Sequence, residues 1–253
     1  MTVALTGIDA DVMAALDTVT DPELDEPITD LGFVRSILID DSGLEVHLRL
    51  PTAFCSPNFA YLMAADALDA LAGFEDLGEV RVCLDDHHDS DKINAGLAAR
   101  AGYRGTFGVE ALDSLDELRR TFLRKAHTAA MERCVTAVIR EQGLPDDELH
   151  HLTLRDLPTG TQKSALLRRR FEIGLSTCPN SRVLVSEDGR ALAPEQVPMR
   201  LRFARSVRIS MEGNGHFCRG LLATRYADGG NSVPQFVDAR TDSNSKSGIR
   251  SAL

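Results

Sequence analysis

The residues best suited to chemistry stand in Pro51-Thr52-Ala53-Phe54-Cys55-Ser56-Pro57-Asn58. Cys55 falls at a seam. Before it, Glu45-Val46-His47-Leu48-Arg49-Leu50 alternates polar and apolar side chains, the period of a half-buried strand. After it, Pro57 opens a helix that runs to about Gly73. Ser56 suits the N-cap, and Pro57 suits the first helical position because its missing N–H costs nothing there. A thiol beside unpaired N–H groups and the positive end of a helix is poised as thiolate, the form that attacks electrophiles and ligates metal. The same position also suits a small buried hydrophobe next to a cap.

The other thiols carry weaker signals. Cys83 alternates with Val82 and Leu84 in a strand, and Cys134 lies on the apolar stripe of a long helix, a core position. Thr177-Cys178-Pro179-Asn180 faintly echoes the surroundings of Cys55. His216 and Cys218 flank Phe217 after Asn214-Gly215, which on a strand puts both on one face. No Cys-x-x-Cys occurs, so zinc-ribbon and thioredoxin-like motifs are excluded. His87 and His88 sit among aspartates. On an extended chain adjacent residues point opposite ways, so the pair reads as a solvated link. No phosphate-binding glycine loop and no G-x-S-x-G elbow is present. A cysteine hydrolase would need one of the seven histidines as its base, and no local signature selects one.

The elements that must position these groups follow from periodicity. Ile8, Val12, Leu16 and Val19 give a helix ended at Thr20-Asp21-Pro22-Glu23. Strands are expected at 33–39, 45–50 and 79–84, with the helix that Pro57 opens between the last two. After a polar link at 85–91, Leu115, Leu118, Phe122, Ala126, Ala130, Cys134 and Val138 mark a helix over about 114–142, and 161–171 marks another. The remainder reads as β-rich. Residues 182–187 precede the turn pair Asp188-Gly189, and 199–211 and 217–226 flank Asn214-Gly215 as a hairpin. Within 199–211, Arg200 and Arg202 alternate with Leu201 and Phe203, giving one basic face. The fold class is therefore α+β in two parts. Residues 1–91 form a small domain, 92–104 a linker, 105–238 a second α+β domain with a long helix and antiparallel hairpins, and 239–253 a disordered tail.

Three motifs in the first part resemble the iron–sulfur cluster assembly domain family, which includes SufT-type and PaaD-type proteins. They are Val19-Thr20-Asp21-Pro22-Glu23-Leu24, then Ile28-Thr29-Asp30-Leu31-Gly32-Phe33-Val34, then the Thr52-x-x-Cys55 helix start. Their order and spacing are those of the family. The resemblance covers about a third of the chain, residues 8–90. It implies a small mixed sheet with two helices and a role in maturing metal or iron–sulfur proteins. It also implies Cys55 as the reactive and metal-binding residue, with Asp21, Glu23 and Thr52 around it. Ser56 stands where the family often has proline directly after the cysteine. Iron or an iron–sulfur cluster would then be held transiently, since one thiolate plus carboxylates falls short of a closed four-ligand site. The partners implied are assembly machinery or one client metalloenzyme, such as a multicomponent oxygenase. A cysteine-dependent enzyme and a protein-binding module remain the alternatives.

Composition sets the compartment and the partners. Net charge is −10, but residues 1–91 carry 20 acidic and 3 basic side chains, whereas residues 92–253 carry 18 and 25. The first part is therefore no nucleic-acid binder, and the second suits an acidic partner, the first part included. No stretch approaches a membrane span, and the opening residues lack a secretory signal. Five cysteines, an odd number, fit a reducing cytoplasm rather than a disulfide framework. A homo-oligomer is compatible with this reading.

Overall fold

The computed structural model describes residues 7–110, 115–145, 148–227 and 234–240. It is α+β, with helices, a mixed sheet and two helices of nearly thirty residues. Two compact units divide it.

The first unit holds the described residues up to Asp21, from Glu26 to residue 110, and from Cys218 onward. It begins with helix α1, Ile8–Leu16, and the short ladder β1, Thr20–Asp21, against β2, Glu26–Pro27. Strands β3, Val34–Asp40, and β4, Gly43–Arg49, form an antiparallel hairpin. Helix α2, Pro57–Ala70, then leads to strand β5, Glu79–Asp85, which pairs in parallel with β4. The sheet order is β5-β4-β3-β6, with β6, Gln235–Asp238, parallel to β3. The mixed sheet and two helices that the motifs implied are present. Val46, Leu48, Ile37, Ile39, Val82 and Leu84 are buried on one face, and α2 packs against β5 and α1.

The opposite face of the β4–β5 pair is polar. His47 places Nδ1 2.8 Å from Asp85 and Nε2 2.9 Å from Glu45, so both ring nitrogens face carboxylate acceptors, the arrangement that favours an imidazolium. Burial disfavours that charge, but the two carboxylates outweigh it and raise the pKa of the ring. Cys83 sits opposite His47, and burial together with Glu45 and Asp85 pushes its thiol up. Cys83 is half-buried on this charged face, not enclosed in the core.

The β3–β4 turn imposes a glycine. The Asp40 carboxylate accepts from the N–H groups of Ser42 (2.7 Å) and Gly43 (3.2 Å). Gly43 adopts φ +147°, and a Cβ there would lie 2.0 Å from the backbone oxygen of Glu79. Gly43→Ala should therefore cost about 2–3 kcal/mol through a clash with backbone that cannot swing aside. Urea unfolding of the two proteins reads the difference; an unchanged midpoint would show that β5 yields there.

Residues 92–104 are not an open linker. Helices α3, Ser90–Ala98, and α4, Gly102–Phe107, occupy them, and α3 packs on β5. Tyr103 and Phe107 stack around Tyr61 of α2, with ring centroids 5.4 and 5.8 Å away. Of the tail expected over 239–253, Ala239 and Arg240 are described, and the Ala239 N–H reaches Ile39 O at 2.7 Å. The rest of the expected tail lies outside the described residues.

The second unit holds the loop Pro22–Asp25 and the described residues between 115 and Phe217. Helix α5, Leu115–Gln142, and helix α6, Thr161–Glu172, stand where the periodicity put them. Their core includes Met131, Cys134, Val135, Val138, Leu166 and Val183. Cys134 is enclosed as expected, and burial pushes its thiol up to about 11. Arg169 of α6 is buried on the Asp25 carboxylate.

The hairpins expected here do not form. Residues 182–187 contribute two isolated bridges, Thr153↔Arg182 and Val185↔Ala191, although Gly189 does make the turn at φ +76°. Residues 199–211 and 217–225 belong instead to one helix, α7, Val197–Arg225. Its buried Val197, Ala204 and Met211 recur every seven residues, a helical period. The alternation at 200–203 was a four-residue coincidence inside it. Asn214-Gly215 lies within α7, and Gly215 is buried. Gly costs about 1 kcal/mol against Ala in a helix, a cost that packing overrides. The arginines do not line a strand face. Arg205 and Arg208 reach Glu132 of α5, which is 1% exposed, and Arg200 donates to Thr128. His216 and Cys218, two apart on a helix, do not share a face.

Candidate functional site

The segment from Leu50 to Ser56 leaves the end of β4 and enters α2. Ser56 takes the N-cap position with extended backbone, but its side chain makes no capping bond. Pro57 at the first helical position brings no N–H, and the N–H groups of Phe59 and Ala60 both turn to Ser56 O at 3.0 Å. Cys55 immediately precedes this start and is half-buried. Its Sγ lies 3.7 Å from Thr52 Oγ1, and that oxygen also accepts the Phe54 N–H at 3.1 Å. Thr52 therefore shapes the loop and touches the sulfur. The Phe54 side chain is 83% exposed.

The loop is pinned to the turn after β5. His87 Nε2 donates to Cys55 O at 2.9 Å, and its Nδ1 accepts the Asp89 N–H at 3.1 Å. That pattern fixes the neutral Nε2–H tautomer, because a doubly protonated ring has no acceptor. The His88 N–H donates to Ala53 O at 2.9 Å. The opposed directions of adjacent side chains hold for this pair, but the outcome differs from a solvated link. His87 turns inward and is 5% exposed, while His88 turns outward. The bend that permits this is Asp86, at φ +52°.

A second clamp comes from the end of α7. Arg225 donates to Leu50 O at 3.0 Å and also to Asp86 O, tying both sides of the loop together. The Tyr226 hydroxyl reaches Asp86 Oδ2 at 3.4 Å, and the Arg49 guanidinium lies over the Tyr226 ring at 5.0 Å. Arg49 Nε donates to Gly32 O at 3.1 Å. The segment Asp30-Leu31-Gly32-Phe33 is thus joined to the root of the Cys55 loop. Leu31 and Phe33 are buried, and Gly32 at φ +74° makes the turn between them. Arg49 and Tyr226 also line a cavity of about 420 Å³ with Asp30, Gly32 and Arg219.

The structure thus gathers Thr52 and His87 about Cys55. Asp21 stands on β1 of the same unit, 8% exposed. Glu23 belongs to the second unit, where it accepts from Asn214 at 3.2 Å. Sequence reasoning missed His87, Arg49, Arg225 and Tyr226. The inward histidine had a local signal, since one of two adjacent side chains must face the core. Arg225 and Tyr226 had none, being about 170 residues away from the loop.

The thiols should separate by accessibility. Brief iodoacetamide treatment of the folded chain is expected to label Cys55 and the exposed Cys178 and to spare Cys134, which is 3% exposed. Peptide mapping reads the pattern, and early labelling of Cys134 would contradict the packing of α5.

Residues 9–83 match a family described as iron–sulfur cluster assembly protein. An uncharacterized protein of Methanocaldococcus jannaschii is 34% identical over 88 residues, covering 34% of this chain and 90% of that protein. An 8-amino-7-oxononanoate synthase of Mycolicibacterium smegmatis is 32% identical over 174 residues, covering 64% of this chain. The chain spans 41% of the length of that synthase. No solved structure matches the chain. Among the described residues no helix is long and apolar enough to cross a membrane.

Proposed function

We propose that this chain, a member of the iron–sulfur cluster assembly protein family through residues 9–83, is an accessory factor that matures an iron–sulfur or iron-dependent enzyme. Cys55 is its handling residue, taking up iron or a cluster as cargo and passing it on. The observation that carries this reading is the Cys55 loop. A half-buried thiol stands at the start of α2 on a segment whose backbone is fixed by His87, His88 and Arg225. Such a loop presents one sulfur in one place. A single thiolate completes too few bonds for a closed site, so the cargo stays exchangeable. The remaining ligands come from the acceptor or from a second copy of the chain.

The partners are a client metalloenzyme or assembly machinery in the cytoplasm, with no nucleic acid and no membrane. The similarity to the synthase spans more than twice the family-matched segment, and so takes in part of the second unit. Residues 115–217, beyond the family-matched segment, would recognise the client. A thiol-enzyme reading has less support, because His87 uses Nε2 on the Cys55 carbonyl and Nδ1 as an acceptor. It is therefore not placed to take the thiol proton.

Anaerobic loading tests this function. Chain incubated with ferrous iron and sulfide, then desalted, should retain both and release them to a chelator within minutes. A chain that retains neither would return Cys55 to a structural role.

A further inference from the structure

The polar face of β4 and β5 carries a donor set apart from Cys55. Glu45, His47 and Cys83 each offer one ligand atom, and these atoms all lie within 4.8 Å of one another. The set mixes carboxylate oxygen, imidazole nitrogen and sulfur, which suits borderline cations such as zinc or ferrous iron better than magnesium or calcium. The register builds it, since His47 faces Cys83 and Glu45 stands two residues back on the same face.

The surroundings are those of an outer coordination shell. Asp85 accepts from His47 Nδ1 at 2.8 Å, which leaves Nε2 directed at Glu45, 2.9 Å away. A carboxylate on the far nitrogen of a ligating imidazole is the usual partner that fixes ring orientation and strengthens the ligand. Asp85 is itself held by Arg35 at 2.9 Å, and the second oxygen of Glu45 by Arg81 at 2.9 Å. Two of the three donors, His47 and Glu45, are thus aimed by a neighbour.

We propose that Glu45, His47 and Cys83 form a second binding site, for a borderline divalent cation, on the open face of the sheet. The cation takes the place of the proton between His47 Nε2 and Glu45. Cys83 gives up its own proton, and both protons leave to solvent. Tetrahedral zinc holds sulfur and nitrogen donors about 3.5 Å apart, so closing the set requires side-chain shifts of about an ångström. Three protein ligands leave one position open, the arrangement of an exchangeable site and not of a closed structural one. This site stands independently of the reading of Cys55.

Cobalt is the probe, because its thiolate complexes absorb in the near ultraviolet. The full-length chain titrated with cobalt should develop that band, and Cys55→Ser should keep it. Adding Cys83→Ser to Cys55→Ser should remove it. His47→Gln should weaken cobalt binding at least about tenfold while leaving the far-ultraviolet circular dichroism unchanged. If Cys83→Ser fails to fold, His47→Gln carries the test alone. A band that survives Cys83→Ser but not Cys55→Ser would overturn the proposal. So would full-strength binding by His47→Gln, or no band at millimolar cobalt.

Discussion

Replacing Cys55 with serine should abolish delivery of iron and sulfide to an apo-ferredoxin acceptor while leaving the fold intact. Serine keeps the size of the side chain and can still meet Thr52. The bonds that fix the loop run to backbone atoms, Cys55 O from His87, Ala53 O from His88 and Leu50 O from Arg225, and none depends on the sulfur. Unfolding free energy should therefore move by less than about 0.5 kcal/mol, as for substitutions that break no special feature. An alcohol is a poor ligand for iron in a sulfide environment, so transfer should fall at least about tenfold. Transfer at the wild-type rate by a folded Cys55→Ser chain would instead favour a protein-binding module whose cysteine is incidental.

The second large effect is a loss of stability in acid that originates at His127. This residue of α5 is 2% exposed, and among the described residues no hydrogen-bond partner satisfies its Nε2. Burial, then Arg170 of α6 and Arg200 of α7, lower its pKa from 6.5 to about 4. Between those values the unfolded chain binds a proton that the folded chain refuses. Stability is therefore complete above pH 6.5 and is lost as pH falls toward 4, by about 3 kcal/mol in all. Arg169 and Asp25 also lie in this unit, and the Asp25 pKa is raised because burial outweighs Arg169. A raised carboxylate acts in the opposite sense, since the folded chain then takes up the proton first. The histidine is isolated by comparison. Urea unfolding of wild type and His127→Phe at pH 7 and pH 4.5 should show a drop in wild type that is about 2–3 kcal/mol larger. Equal drops would mean that His127 is solvated in the folded chain.

The first unit was legible because its signals are local. Alternation in 45–50, the turn at Asp40-Asp41-Ser42-Gly43 and Pro57 at the start of α2 each fix structure within a few residues. The long helix over Leu115–Gln142 was legible for the same reason, its stripe persisting from Leu115 to Val138. α7 was not. Glycines at 213, 215 and 220 and the pair Asn214-Gly215 favour a turn locally. What keeps them helical is burial of Val197, Ala204, Met211 and Leu222, together with Arg208 on a buried Glu132. Those are tertiary contacts that a short window cannot contain.

The candidate site divides in the same way. Cys55 and Thr52 were found because the strand-to-helix seam is written in consecutive residues. The clamp was not, because Arg225 meets Leu50 O across 175 residues of chain. The donor set of the sheet face escaped because Glu45 and His47 on β4 meet Cys83 on β5 only through a parallel register, set by the crossover through α2.

The central claim is that iron cargo sits on the sulfur of Cys55. Iron-edge X-ray absorption of the anaerobically iron-loaded chain addresses it directly, measured on Cys83→Ser so that the sheet-face donors contribute no cysteine sulfur. With sulfide omitted, a sulfur scatterer should stand in the first coordination shell and disappear when Cys55→Ser is added. A sulfur shell that persists in the double variant, or one that never forms while Cys55 is present, would contradict it.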